Sequence, residues 1–185
     1  MSESVKPVEG LLIIDVQAGH VEGEHAVPDA ARLAEQVADL LDAAREADAL
    51  VVHVQNDGDA GQVDEPGTAG WELHFRPLAG EVVIRKAHDD AFRETSLAEL
   101  LAERSIRSLA ICGLMSEMCV SATARTALDR GYRVVLPHDA HGTTGVPAAD
   151  GLGEAIPAAV VSRVAEWALG DRVEVVPHAK TVAFG

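Results

Sequence analysis

Six short apolar runs recur along the chain, and most are separated by stretches that read as helix. They are GLLIIDV (Gly10–Val16), LVVHVQ (Leu50–Gln55), EVVIRK (Glu81–Lys86), SLAICG (Ser108–Gly113), YRVVLP (Tyr132–Pro137) and DRVEVVP (Asp171–Pro177). Runs of this length, rich in Val, Ile and Leu and apolar on both sides, are the pattern of strands covered on both faces. Pro28–Ala49 places Leu33, Val37, Leu40 and Leu41 at helical spacing, with Pro28 suited to an early helical position. Leu97–Ser105, about Cys119 to Arg130, and Leu152–Leu169 also read as helices. Gly131 is a plausible stop for the third, and Pro157 a local irregularity or new first turn in the fourth. Alternation of strand and helix predicts an α/β fold with a mostly parallel six-stranded sheet between two helical layers, a three-layer sandwich.

The length of 185 residues suits one domain, 1–185, with a short flexible N-terminus and a tail from His178 that covers the domain or packs on a neighbour. Three Phe, one Tyr and two Trp leave the core to Ala, Val, Leu and Ile. Asp and Glu outnumber Lys and Arg by 30 to 15, a formal charge of −15. Such a surface argues against nucleic acid as a partner and weakly favours cationic small molecules. No apolar run is long enough to span a membrane, and MSESVKPVEG lacks a signal-type apolar segment, so a cytoplasmic location is expected. The two cysteines, Cys112 and Cys119, are too few for a disulfide framework and are not spaced as C-x-x-C.

In parallel sheets, sites form beyond the carboxyl ends of the strands. Asp15, Lys86 and the segment from Gly113 onward all fall at such ends. Cys119 lies near an expected helix start, where unpaired N–H groups would depress a thiol pKa. Cys112 lies inside a strand, where burial favours the neutral thiol. Either cysteine is otherwise a small packing residue. Asp15 is either a proton acceptor for a thiol or a capping carboxylate. Lys86 either steadies a carboxylate–thiolate pair or pairs at the surface with Asp89 or Asp90. No histidine is close in sequence to Cys119, but His53, His74, His88, His138 and His141 remain geometric alternatives as its base.

Together, LLIIDVQ, KAHDDAF and ICGLMSEMCVSATARTALDRGYRVVLPHDA resemble the isochorismatase-like cysteine hydrolases, a family that includes nicotinamidases and related amidases. The resemblance covers roughly residues 10 to 145 and implies an isochorismatase-like fold with an Asp15, Lys86, Cys119 triad. Asp15 would take the thiol proton, Cys119 would attack a carbonyl, and Lys86 would steady the ionised groups. It further implies a cis peptide between Leu114 and Met115, an oxyanion site at the amides of Met115 and Cys119, and a homodimer or higher homo-oligomer. MCVSATARTALDRGY and VVLPHDAHGT are similar to the streptothricin hydrolase branch, whose chemistry is the opening of a lactam. The expected substrate is therefore a small amide or lactam, cleaved through a thioester. A vinyl-ether hydrolase or a catalytically silent binding protein is the alternative.

The nicotinamidase-type Asp-x-His metal motif is absent from HVQNDGDAG. His53, Asp57 and Asp59 there are not spaced as zinc ligands, so no metal and no cofactor is expected. Around the triad, Gln17, Trp71, Phe92, Glu117 and His141 are candidate substrate contacts. Each has a structural alternative: backbone satisfaction for Gln17, packing for Trp71 and Phe92, a cap for Glu117, and a structural hydrogen bond for His141.

Overall fold

A computed structural model describes residues 6–185, so the expected flexible N-terminus lies largely outside the described residues. The elements, in chain order, are β1 (Gly10–Ile14), α1 (Ala18–Val21), α2 (Ala30–Glu46), β2 (Leu50–Asn56), β3 (Val82–Lys86), α3 (Leu97–Glu103), β4 (Ser108–Leu114), α4 (Ser121–Asp129), β5 (Arg133–Pro137), β6 (His141–Gly142), α5 (Ala158–Ala168) and β7 (Val173–Val176). Six strands lie in the order β3-β2-β1-β4-β5-β7, and every ladder between them is parallel. The two-residue β6 is a seventh strand that the sequence did not announce. It pairs with the end of β4, setting His141 opposite Gly113.

β1 is buried along its whole length because it is central and covered on both faces. Its side chains alternate between two cores. Leu11 and Ile13 join α2, with Val37, Leu40 and Leu41. Leu12 and Ile14 join α3 and α4, with Leu97, Leu101, Ala124 and Ala127. The C-terminal tail closes the first core: Val8 bridges Phe184, and Ala179 and Val182 pack beneath α2. The tail therefore covers its own sheet.

All four expected helices start later or end earlier than periodicity suggests; α3 ends at Glu103, short of Ser105, whose φ is 58°. α2 begins at Ala30 and ends at Glu46 because Asp29 and Asp48 take left-handed φ values of 58° and 54°. α5 begins at Ala158. Gly151 and Gly153 have positive φ, Val146 and Ile156 form an antiparallel bridge, and Pro157 precedes the first helical residue. The expected helix over Leu152–Ile156 is thus a clasp, with Leu152 exposed. The segment around Cys119 is not the start of an α-helix. Ser116–Val120 form a wide π-turn, with Val120 N–H donating to Met115 O at 3.2 Å, and α4 follows from Ser121. Gly131 does end α4, at φ 88°, with Tyr132 N–H reaching back to Ala127 O at 3.0 Å.

Strand order reverses direction between β1 and β4: the chain builds outward to β3 on one side, then returns to add β4, β5 and β7 on the other. A switch of this kind leaves a crevice at the carboxyl ends of the two central strands. Among the described residues, no helix is long and apolar enough to cross a membrane.

Candidate active site

Asp15 follows β1 at that switch. It takes a left-handed φ of 52°, held by its N–H on Val54 O and by Gln17 N–H on its own carbonyl, both at 2.9 Å. Asp is one of the few residue types that tolerates this region. The bend points a carboxyl group into the crevice at 3 % exposure. Gly113 makes room on the neighbouring strand. Its φ is 115°, and a Cβ there would stand 2.0 Å from Ile14 O, so only glycine lets β4 approach the end of β1.

Lys86 is the last residue of β3 and points inward, also at 3 % exposure. Its Nζ lies 2.7 Å from Asp15 Oδ2, 3.0 Å from Asn56 Oδ1 and 3.2 Å from Cys119 Sγ. An ammonium has three N–H donors, and here all three have partners. Asn56 is the register partner of Lys86 on β2, and its own Nδ2 donates to Asp64 Oδ2 at 2.7 Å. Burial alone would lower the Lys86 pKa. The charge of Asp15 and the Cys119 sulfur outweigh it, and the ammonium is held above its ordinary value. Asp15 is raised by burial, against the pull of Lys86. Its Oδ1 is buried without a hydrogen-bond partner among the described residues, and the Asp15 side chain neighbours the Cys119 thiol.

The expected depression of the Cys119 pKa is corrected. Burial, then the charge of Asp15, push the thiol upward, and Lys86 only partly opposes them. The π-turn also removes the α-helix N-terminus on which the expectation rested. The resting arrangement is therefore a neutral thiol beside a buried ion pair. The Leu114–Met115 peptide is cis, and Met115 O accepts from Met118 and Val120 N–H, so Met115 anchors the turn that carries Cys119.

None of the five histidines considered as a base serves Cys119. Each is held on a carboxylate instead: His53 on Glu81, His74 on Glu22, His88 on Glu94, and both His138 and His141 on Glu166. The expected substrate contacts separate in the same way. Gln17 is fully buried. Its Oε1 accepts from Asn56 N–H at 2.8 Å, and its Nε2 donates to Asn56 O and Trp71 O, so nothing is left for a ligand. Trp71 donates its indole N–H to Asp57 and stacks under Arg85, 4.9 Å from its ring centre, as loop packing. Phe92 is core, beside Tyr132 and Arg130 towards the far end of α4. His141 uses both ring nitrogens, on Ser116 and Glu166, at 6 % exposure. Glu117 alone of these five is exposed, two residues before Cys119, where it accepts from Thr143 Oγ1 at 2.9 Å.

Two residues were missed. Asn56 orients Lys86. Asp89, exposed, brings Oδ1 to 3.8 Å from Cys119 Sγ. Asn56 ends a strand in register with Lys86, a signal readable only once β2 and β3 are paired. Asp89 lies in KAHDDAF, where chain proximity suggests only a partner for Lys86. In the loop after β2, Asp57 is taken by Arg85 and Trp71, His53 by Glu81, and Asp59 is exposed, so they do not converge on a metal. Elsewhere, ligand atoms of His138, His141 and Glu166 lie within 4.8 Å of one another.

Comparison with known proteins places the whole chain. The isochorismatase domain matches residues 9–165. Two streptothricin hydrolases of Streptomyces noursei are 57% and 55% identical, over 98% and 96% of this chain. The matches span 73% and 65% of those relatives' own lengths. The crystal structure of an isochorismatase from Pseudomonas putida KT2440 superposes with a TM-score of 0.86 at 32% identity, over 96% of this chain and 93% of that one. A family match over most of the chain, close relatives and a shared fold lead to one conclusion: the chain belongs to the isochorismatase family of cysteine hydrolases.

Proposed function

We propose that this chain, acting as a single hydrolase domain, cleaves the C–N bond of a small lactam or related amide through a thioester on Cys119. The observation that carries the reading is the Lys86 ammonium lying between Asp15 Oδ2 and Cys119 Sγ, with Asp15 Oδ1 unpartnered among the described residues. Asp15 takes the thiol proton as Sγ attacks the carbonyl carbon, and Lys86 steadies the sulfur's charge. The oxyanion is received by the amides of Met115 and Cys119. The tetrahedral intermediate collapses as Asp15 returns the proton to the leaving nitrogen. In a lactam that nitrogen stays tethered as a free amine. Water, deprotonated by Asp15, then attacks the thioester and restores the thiol.

Exposed carboxylates at Asp89 and Glu117 flank the nucleophile, which favours a cationic substrate and opposes an anionic vinyl ether. Similarity to streptothricin hydrolases supports the same choice. The protein is expected to work in the cytoplasm, without nucleic acid or a membrane surface as partner. A homodimer or larger homo-oligomer is supported by α5, where Val160, Val164 and Trp167 lie on one helical face at 48%, 57% and 77% exposure. The test is turnover of a panel holding streptothricin, simple lactams, nicotinamide and an anionic vinyl ether, followed by mass spectrometry. Lactam opening with an acyl adduct on Cys119 is the expected result. Vinyl-ether turnover alone, or ligand binding with neither turnover nor adduct, overturns it.

A further inference from the structure

We propose that His138, His141 and Glu166 form a site for one divalent transition-metal ion, with zinc the best fit, built behind the turn that carries Cys119. Both imidazoles aim at a single carboxylate oxygen. His138 Nδ1 lies 2.5 Å and His141 Nε2 3.0 Å from Glu166 Oε1. Two imidazoles and a carboxylate oxygen are a ligand set that zinc accepts, and a tetrahedral ion with bonds of ~2.0–2.1 Å sets its ligands roughly 3.3 Å apart. All three ligand atoms already lie within 4.8 Å of one another. The His141 and Glu166 side chains are 1% exposed and fixed, whereas that of His138 is 48% exposed and has room to open by the small amount needed.

The atoms around these ligands are already satisfied in a way that metal binding preserves. His141 Nδ1 meets Ser116 Oγ at 2.8 Å, and Ser116 Oγ meets Ser162 Oγ at 2.9 Å. His141 can therefore carry its proton on Nδ1, donate it to Ser116, and leave Nε2 bare for the ion. A hydrogen bond from the far nitrogen of a ligating histidine commonly fixes ring and tautomer in this manner. Arg163 holds Glu166 Oε2 at 3.0 Å, leaving Oε1 for single-oxygen ligation. His138 shifts its proton to Nε2. Neither step needs net proton release from neutral rings. A cavity of ≈ 530 Å³ lined by His138, His141 and Ser162 supplies an entry path and space for a water as fourth ligand.

The ligands come from the turn after β5, from β6 and from α5, so an ion would tie three elements together. Because His141 also holds Ser116, loading would stiffen the π-turn that presents Cys119. The competing reading is a metal-free network of hydrogen bonds. Protein dialysed against chelator and titrated with Zn²⁺ by calorimetry, and with Co²⁺ by visible absorption, separates the two. The expected result is one ion per chain, with the intense bands of low-coordinate Co²⁺. His138→Ala, at a half-exposed position, should fold normally and bind at least about tenfold more weakly. His178→Ala, which removes an exposed histidine paired with Asp139 instead, should bind unchanged. Absence of stoichiometric binding, or equal binding by His138→Ala, overturns the proposal. The result is independent of the lactam assignment, since neither readout uses turnover.

Discussion

Cys112 and Cys119 lie seven residues apart and on different sides of the sheet. Cys112 faces the α2 core, and its Sγ reaches only Leu12 O at 3.6 Å. Cys119 sits past the strand end and packs towards the α3–α4 core, with Lys86 at 3.2 Å and Asp89 at 3.8 Å. Burial raises both thiols, for Cys112 as the sole cause and for Cys119 together with Asp15. A low resting pKa therefore does not distinguish Cys119, the proposed nucleophile, from Cys112. The difference is company: one sulfur has a cation and a carboxylate beside it, and the other has only hydrocarbon and a carbonyl. A neutral thiol beside a proton acceptor also resists chance oxidation, because the thiolate is the oxidisable form.

The sharpest way to break this contrast is to exchange the roles. Cys119→Ala should lose about 10⁴-fold or more in kcat, as removal of a nucleophile does. Cys112→Ala should retain activity and lose about 1 kcal/mol of stability. Steady-state turnover and urea melts check both, and a Cys112 variant as inactive as Cys119→Ala would undo the assignment. Next in size is Lys86→Met. It should cut kcat by about 10²–10³-fold through lost charge stabilisation. It should also destabilise the fold by about 3–5 kcal/mol, because Asp15 is left buried without its cation.

Asn56→Ala removes one of the three bonds on Lys86. A hydrogen bond to a charged group is worth about 1.5–3 kcal/mol, so roughly a 10- to 100-fold loss of kcat is expected with KM little changed. Smaller effects are read through pH. In the proposed mechanism the carboxylate form of Asp15 is the active one, and its pKa is raised from 3.8, so the acid limb of kcat/KM should lie above that value and activity should fall as pH drops through it. Iodoacetamide should label Cys119 slowly at pH ~7 and faster as pH rises, because the thiol is held neutral. Cys112 should stay unlabelled until the protein unfolds. Rapid labelling of Cys119 in weak acid would restore the depressed thiol that the sequence suggested.

The central strands were legible because burial on both faces leaves a plain signature, a continuous apolar run, whereas β3 and β7 at the sheet edges are only partly buried and were legible from their Val-rich runs. Asp15, Lys86 and Cys119 could be singled out because parallel sheets put polar residues at strand ends, and the structure brings Lys86 within 2.7 Å of Asp15 and 3.2 Å of Cys119. Helix limits at Asp29, Asp48 and Pro157 were less legible, since left-handed φ values and a bridge between Val146 and Ile156 override periodicity. Substrate contacts were the weakest reading. Gln17, Trp71 and His141 carry polar groups near the rim, but hydrogen bonding to backbone, Asp57, Ser116 and Glu166 consumes them.

By itself, then, the sequence determined the layers, the parallel sheet and the residue types at its carboxyl rim, because these follow from local periodicity and chain order. Tertiary structure decided which of those residues meet. Asn56 holds Lys86 through strand register. The ion pair and the thiol share one crevice through the β1–β4 switch. His138 and His141 find Glu166 only where α5 folds back over β6. Each of these contacts joins residues some 25 to 100 positions apart, and a distance of that kind exists only once the chain has closed on itself.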